Sequence, residues 1–247
     1  MIKEERHNEL IKVLKEKRFA SVDYLSQKLF ASLPTIRRDL AELENKGFLM
    51  RCHGGAMITD DEKLDIPIAF RNVTNIREKI KICKLAASLI NDGNVIFMDA
   101  STTVLHIIDF IKNKKNITVV TNSMQACTLL YKYNIKTYCT GGFLLENSLA
   151  FVGRRAEEFV TDFHADIMFF SSCALDNEGY VTDYSEYEAS LRKTMFKYAN
   201  KLVFMCDNTK FNKSSIFNII HLKNVDYIIS DSPLPESLSE FKSKQLF

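Results

Sequence analysis

The sequence predicts an α/β protein in two parts: a small N-terminal unit of three helices and a hairpin, then a larger layered domain. Three observations lead there. Apolar residues recur at helical spacing through residues 1–58. Beyond residue 69, apolar runs of strand length alternate with helical patterns. The basic excess is confined to the first part: residues 1–59 hold 11 Lys+Arg against 8 Asp+Glu, and the remainder hold 22 against 23. The formal charge of +2 on 247 residues thus averages a +3 unit and a −1 unit.

At 46% hydrophobic and 26% charged, the composition is that of a globular chain. No stretch approaches the ~18 uninterrupted apolar residues of a membrane span. Met1-Ile2-Lys3-Glu4-Glu5-Arg6 is charged with no apolar run behind it, so a cytoplasmic protein without a secretory signal is expected. The six cysteines are dispersed without a CxxC pair, and no His lies at ligand spacing from a second Cys, which predicts reduced thiols and no metal.

Each element follows from its local pattern. His7, Leu10, Ile11 and Leu14 fall at i, i+3, i+4 and i+7, one helical stripe. Ser21 is placed to cap a second helix that buries Val22, Leu25 and Leu29. After a break at Phe30-Ala31, Ser32 caps a third helix with Leu33 and Pro34 in its first turn, and Gly47 ends it. Leu49–Cys52 and 56–58, separated by His53-Gly54-Gly55, read as a hairpin. Polar residues 59–68 form a linker, and a helix is expected over 69–91. Strands are expected at Val95–Met98, 118–120, Lys136–Cys139, 167–171, 201–205 and 226–229, with helices at 103–112, 124–131 and 185–200. Most of these strands are continuously apolar, as parallel strands covered on both faces are. The domains are therefore 1–58, the linker 59–68, 69–235, and a Ser/Lys-rich tail 236–247 that reads as a frayed end.

Thr35-Ile36-Arg37-Arg38-Asp39-Leu40-Ala41-Glu42-Leu43 is the most informative stretch. At ~100° per residue, Ile36, Leu40 and Leu43 share one face, while Arg38 points nearly opposite, flanked by Thr35 and Arg37. An apolar back and an arginine front suit the DNA major groove, where arginine reads guanine or neutralises phosphate. The preceding helix and short turn complete a helix-turn-helix, and the hairpin with Arg51 and His53 supplies a wing against phosphates. The alternative is an amphipathic surface helix whose arginines pair with Asp39 and Glu42.

In the second part, Phe97-Met98-Asp99-Ala100-Ser101-Thr102-Thr103 ends a strand and opens a helix. Hydroxyls and backbone N–H groups there suit a phosphate, at the strand ends where open α/β sheets bind ligands. Alternatively, Ser101 is only a cap and Asp99 a turn former. Asn122 either bonds ligand hydroxyls or caps the next helix. Gly141-Gly142 either lets backbone approach a ligand or only turns the chain. Lys210 either pairs with an anion or is solvated. No dinucleotide or Walker-type glycine motif occurs, so no cofactor is expected.

Phe19-Ala20-Ser21-Val22, Thr35-Ile36-Arg37-Arg38-Asp39-Leu40 and Arg51-Cys52-His53-Gly54-Gly55-Ala56 closely resemble the winged helix-turn-helix of the DeoR family of bacterial transcriptional regulators. The resemblance continues through Asp99-Ala100-Ser101-Thr102-Thr103, Thr121-Asn122-Ser123, Gly141-Gly142, Ala165-Asp166, Glu188 and Asp207-Asn208-Thr209-Lys210-Phe211, to about residue 235. It implies a C-terminal domain similar in fold to ribose-5-phosphate isomerase and coenzyme A transferases. It also implies a homodimeric or homotetrameric repressor of carbohydrate genes that binds double-stranded operator DNA and senses a phosphorylated sugar or related metabolite. The expected DNA contacts are Ser21, Ser32, Thr35, Arg37, Arg38, Arg51 and His53. The expected effector contacts are Asp99, Ser101, Thr102, Thr103, Asn122, Gly141, Gly142, Glu188, Asp207 and Lys210. Two departures stand out: Phe30 sits where the family usually has glycine, and Ser172 and Ala174 replace strand-end glycines. Two other readings compete. One is a sugar-phosphate isomerase with a DNA-binding appendage, using Asp99, Glu188, Asp207 and Lys210. The other is an RNA-binding module, for which no exposed aromatic platform is evident.

Overall fold

The computed structural model describes residues 2–17, 19–45, 48–52, 54–58 and 68–247. These form two compact units, Met1–Thr74 and Asn75–Phe247. The expected helix stop at Gly47, the wing residue His53 and nearly all of the linker 59–68 lie outside the described residues, and Ile68 belongs to a helix.

The first unit runs α1 (Lys3–Lys17), β1 (Phe19–Ser21), α2 (Val22–Lys28), α3 (Leu33–Asn45), β2 (Leu49–Cys52), β3 (Gly55–Ile58) and α4 (Ile68–Val73). Leu10, Val13 and Leu14 of α1 meet Leu25 of α2 and Ile36, Leu40 and Leu43 of α3 in one apolar core. The Ser21 hydroxyl accepts the Tyr24 N–H at 3.1 Å and starts α2 as its sequence position predicts. β1 is an addition to the expected hairpin: it pairs antiparallel with β3, giving the order β1-β3-β2. A side chain on Gly55 would run into the Ala20 carbonyl, so this close strand approach requires glycine. Phe30, in the turn between α2 and α3, has φ 49° and is 96% exposed. That left-handed backbone is the reason glycine suits the position; phenylalanine adopts it at a cost of about 1 kcal/mol.

The second unit contains α5 (Ile76–Ala87), β4 (Val95–Met98), α6 (Thr102–Leu105), α7 (Ile108–Ile111), β5 (Thr118–Thr121), α8 (Met124–Lys132) and β6 (Lys136–Cys139). The hairpin β7 (Phe143–Leu145) and β8 (Ala150–Val152), then α9 (Arg154–Val160), follow. Next are β9 (Ile167–Phe170), β10 (Ala174–Leu175), β11 (Tyr180–Asp183), α10 (Glu186–Lys197), β12 (Leu202–Cys206), β13 (Phe217–His221), β14 (Tyr227–Ser230) and β15 (Gln245–Leu246). Seven strands form a parallel sheet in the order β15-β14-β12-β9-β4-β5-β6. Successive residues of each strand feed opposite faces: Phe97, Met168 and Phe204 enter one core, and Ile96, Phe169 and Val203 the other. A small antiparallel sheet, β10-β11-β13, lies beside them.

Three expectations need correction. The single helix over 69–91 is two helices, α4 and α5, because Asn75 takes a left-handed backbone (φ 52°, ψ 38°) and donates its side-chain amide to Asp207 at 3.1 Å. The helix over 103–112 is likewise split into α6 and α7, where the Ile107 N–H closes a tighter turn on the Val104 carbonyl. The tail 236–247 is not frayed. It forms 3-10 turns over Glu236–Lys244 and then β15, which pairs parallel with β14. Leu238 and Phe241 are buried, and Gln245 donates to the Ser230 hydroxyl at 2.6 Å and the Ser232 carbonyl at 2.7 Å. The polar composition of the segment concealed two apolar anchors.

Phe241→Ala is expected to destabilise the second unit by about 3 kcal/mol, the usual cost of emptying a buried aromatic site. Lys242→Ala, which loses only an exposed pair with Glu236, is expected to change stability by less than about 0.5 kcal/mol. Calorimetric unfolding of the two variants checks the difference.

Candidate functional site

In the first unit, the chemistry concentrates on α3. Asp39 is fully buried and faces α1, where Arg6 and His7 hold it: Arg6 Nη2 donates to Oδ1 at 3.2 Å and His7 Nε2 lies 3.3 Å from the same oxygen. Burial works against the charged form, but the Arg6 hydrogen bond and charge, with His7, hold the carboxyl below its usual range. Glu42 pairs with Lys3 at 2.6 Å. Both acids that could have neutralised the helix's own arginines are thereby occupied. Arg37 and Arg38 are exposed, and among the described residues neither has an ion-pair partner. The Ser32 and Thr35 hydroxyls bond each other at 2.8 Å at the start of the helix. Arg51 is steadied by Glu44, which accepts its backbone N–H at 2.8 Å and its Nε–H at 2.7 Å. Ser21 caps α2, and His53 lies outside the described residues. The result is a rigid apolar-backed helix with an arginine front.

In the second unit, the expected effector residues other than Glu188 lie past the carboxyl ends of four strands of the parallel sheet, β12, β4, β5 and β6, and Glu188 lies on α10. Asp99, just past β4, is buried and engaged on both oxygens. Oδ1 accepts the Ser101 N–H at 3.0 Å; Oδ2 accepts the Ser171 N–H at 3.1 Å and Arg192 Nε–H at 2.8 Å. Arg192 Nη1 donates to Asp183 at 2.9 Å, so one guanidinium joins the ends of β4 and β11. Burial alone would lower the Arg192 pKa, but Asp99, Asp183 and Glu188 together hold it above its ordinary value. Glu188 is thus brought to the same network, with its own N–H capped by Ser185 at 3.3 Å.

Ser101 caps α6 through the Val104 N–H at 3.3 Å. Thr102 accepts a hydrogen bond from Lys79 Nζ at 3.1 Å, and the Thr103 carbonyl accepts the Cys83 thiol at 3.0 Å. Asn122 donates to the Phe151 carbonyl at 3.1 Å, while its buried Oδ1 has no partner among the described residues. The neighbouring helix is capped by Ser123, so capping does not explain Asn122. Gly141 and Gly142 both have positive φ, and a side chain on Gly142 would lie 2.5 Å from the Val152 carbonyl. Gly142 also borders a groove formed with Phe143, Val152, Gly153, Arg154 and Arg155. Asp207 accepts from the Thr209 N–H at 3.1 Å as well as from Asn75; Lys210 follows on the same turn, partly exposed. Ser172 turns its hydroxyl onto the Thr182 carbonyl, which ties the extra side chain to β11.

Sequence reasoning missed Lys79, Asp183 and Arg192. Lys79 shares the buried stripe of α5 with Ile82, Cys83 and Ala86, so a lysine at an apolar register was the available signal. Arg192 lies four residues after Glu188 on the buried face of α10, the same kind of signal. Among the described residues there is no cluster of three or more potential metal ligands, and no helix is long and apolar enough to cross a membrane.

Residues 6–62 match the family model of the DeoR-like helix-turn-helix domain, and residues 74–232 match that of the DeoR C terminal sensor domain. The chain is 33% identical over 248 residues to the uncharacterized HTH-type transcriptional regulator YulB of Bacillus subtilis, covering 100% of this chain and 96% of that one. It is 33% identical to the HTH-type transcriptional regulator GolR of Listeria innocua (95% and 92% covered) and 27% identical to the glycerol-3-phosphate regulon repressor of Escherichia coli (96% and 94%). Among solved structures, a ribose 5-phosphate isomerase from Methanocaldococcus jannaschii aligns with TM-score 0.43 and 19% identity over 56% of this chain and 55% of its own, too distant to carry an argument. Both units match in order and curated relatives align along the full length, so the chain belongs to the DeoR family of helix-turn-helix transcriptional regulators.

Proposed function

We propose that this protein is a sequence-specific repressor of carbohydrate-metabolism genes whose operator affinity is set by a phosphorylated sugar or related metabolite. The observation that carries the DNA reading is the division of charges on α3: Asp39 and Glu42 are taken by α1, which leaves Arg37 and Arg38 to the solvent face. Free guanidinium groups on a helix with a buried apolar back match the geometry of base and phosphate contact in a major groove. Thr35, Ser32 and Arg51 border that face; Ser21 fixes the preceding helix.

The effector reading rests on the strand-end crevice. Lys79 brings a positive charge to the Thr102 hydroxyl, and Asn122 keeps a buried acceptor available for a ligand hydroxyl. A phosphate at Thr102 and Thr103 and sugar hydroxyls at Asn122, beside the side-chain-free backbone of Gly141 and Gly142, satisfy both. Asp99 then acts through its neighbours rather than on the ligand, because its oxygens already hold Ser101, Ser171 and Arg192. The same commitment makes it a poor general base, which favours a sensor over an isomerase. The effector regulates by binding one arrangement of the protein better than another. Paired half-sites call for a homodimer or homotetramer, working in the cytoplasm without a cofactor.

Arg38→Ala is expected to weaken operator binding and relax discrimination by ~1–3 kcal/mol per lost base contact. Titration of operator and scrambled duplexes at one salt concentration measures this, and unchanged affinity removes Arg38 from the readout. Thr102→Val is expected to leave operator affinity intact. It should raise the effector concentration that releases DNA about five-fold or more, the worth of roughly one hydrogen bond. The effector itself is found by thermal shift against a panel of sugar phosphates, since a ligand of the folded state raises stability by RT ln(1+[L]/Kd). A Thr102→Val protein that releases operator at the wild-type concentration places the site elsewhere.

A further inference from the structure

Two cysteines of the second unit meet at the open edge of the parallel sheet. Cys139 is the last residue of β6, the terminal strand of the order, and pairs in register with Thr121 of β5. Cys127 lies in the first turn of α8, its N–H bonded to the Ser123 carbonyl at 3.0 Å. The chain reverses after α8 and returns along it as β6. Five helical steps back from Lys132 cover about 8 Å, and three strand steps forward from Lys136 cover about 10 Å, so the two residues arrive level. Val119 shares its core with Ala126 and Leu130 of α8, so Thr121 and the adjacent Cys139 lie on the face of the sheet that α8 covers, and each thiol's pKa is moved most by the other. Cys139 is exposed and Cys127 half-buried, so the pair is open to small solutes.

Chemistry separates these two from Cys83, Cys173 and Cys206. The hydrogen bond from Cys127 outweighs burial and, with the Gly141 N–H, lowers the Cys139 pKa to about 6. The same bond, together with burial, raises Cys127. Within the pair, Cys139 is therefore the sulfur favoured as thiolate and Cys127 the one favoured as thiol. Burial raises Cys83 and Cys206, and pushes Cys173 up to about 11. A thiolate is the reactive form of cysteine, and an exposed thiolate beside a second thiol is the arrangement that oxidises reversibly.

We propose that Cys127 and Cys139 form a reversible dithiol–disulfide site oxidised by hydrogen peroxide. The Cys139 thiolate attacks one peroxide oxygen; the O–O bond breaks, and hydroxide leaves and takes a solvent proton. Cys139 is now a sulfenic acid, and the negative charge that held the Cys127 proton is gone. The Cys127 sulfur attacks Cys139, the S–O bond breaks, and the departing hydroxide leaves as water with the Cys127 proton. Sulfur is oxidised, peroxide oxygen is reduced, and the sum is two thiols and one peroxide giving a disulfide and two waters. The cross-link ties the start of α8 to the end of β6, and so restrains Asn122-Ser123 against Gly141-Gly142. Its effect on ligand response rests on the reading of that crevice as the effector site; the disulfide itself does not.

The reduced full-length protein is treated with hydrogen peroxide, quenched, alkylated with iodoacetamide and mapped by mass spectrometry. The expected product is a peptide pair linked through Cys127 and Cys139, lighter by the two thiol hydrogens and separated by dithiothreitol. Cys139→Ser should give no linkage, and Cys127→Ser should leave Cys139 as a sulfenic acid that dimedone traps. Absence of the linked pair in the folded wild type, with Cys139 advancing to sulfinic acid or remaining alkylatable, overturns the proposal. The sugar-phosphate thermal shift is then compared in reduced and oxidised protein. A shift that changes on oxidation in wild type but not in Cys139→Ser supports coupling to the crevice, and equal shifts overturn that coupling alone. A reduced protein that responds to no sugar phosphate counts against the effector reading while the mapped disulfide stands.

Discussion

The second unit is organised around one buried guanidinium. Arg192 enters from α10 and takes Asp99 and Asp183 at once, and Asp99 in turn holds the N–H groups of Ser101 and Ser171. A single charge thereby joins the ends of β4, β9 and β11 to one helix. Such a cluster adds little net stability, since desolvating the ions offsets most of their attraction. Removing one member is another matter, because it strands an uncompensated charge, at a typical cost of 3–5 kcal/mol. The triad is best understood as a positioning device: it sets where the strand ends stop and how the hydroxyls of the β4–α6 turn are presented.

The same logic operates in the first unit with the opposite sign at its centre. Asp39 is the buried charge, and Arg6 and His7 close around it from α1. Its most useful consequence is what it withholds. An acid on α3 that faced outward would neutralise the neighbouring arginines; facing inward, it braces the helix, and among the described residues Arg37 and Arg38 have no ion-pair partner. In each unit, then, a buried ion pair fixes the scaffold while the groups beside it stay available to a partner.

These devices explain what was legible in the sequence. The inner strands of the parallel sheet announce themselves, because burial on both faces makes runs such as Ile167–Phe170 uniformly apolar. The Asp99 to Thr103 turn and Asn122 were legible because short polar residues directly after such runs have few other reasons to be there. The hairpin Phe143–Leu145 and Ala150–Val152, and the small sheet holding Tyr180–Asp183, are short or half-polar and left no period to read. Arg192 and Lys79 were hidden for a related reason: long cations in helices are usually solvated, and only their register on a buried stripe sets these two apart. Phe241 was lost in a Ser/Lys-rich segment whose average composition outweighed its one aromatic anchor.

The proposed regulation depends on a phosphorylated sugar binding in the crevice at the ends of β4, β5 and β6. Backbone amide chemical shifts, followed by NMR while a sugar phosphate that stabilises the protein is titrated in, test this most directly. The largest changes should cluster at Ser101 to Val104, Asn122 to Met124 and Thr140 to Gly142, with the same midpoint as operator release. Saturating changes that leave those three segments still and gather elsewhere in the second unit would contradict it.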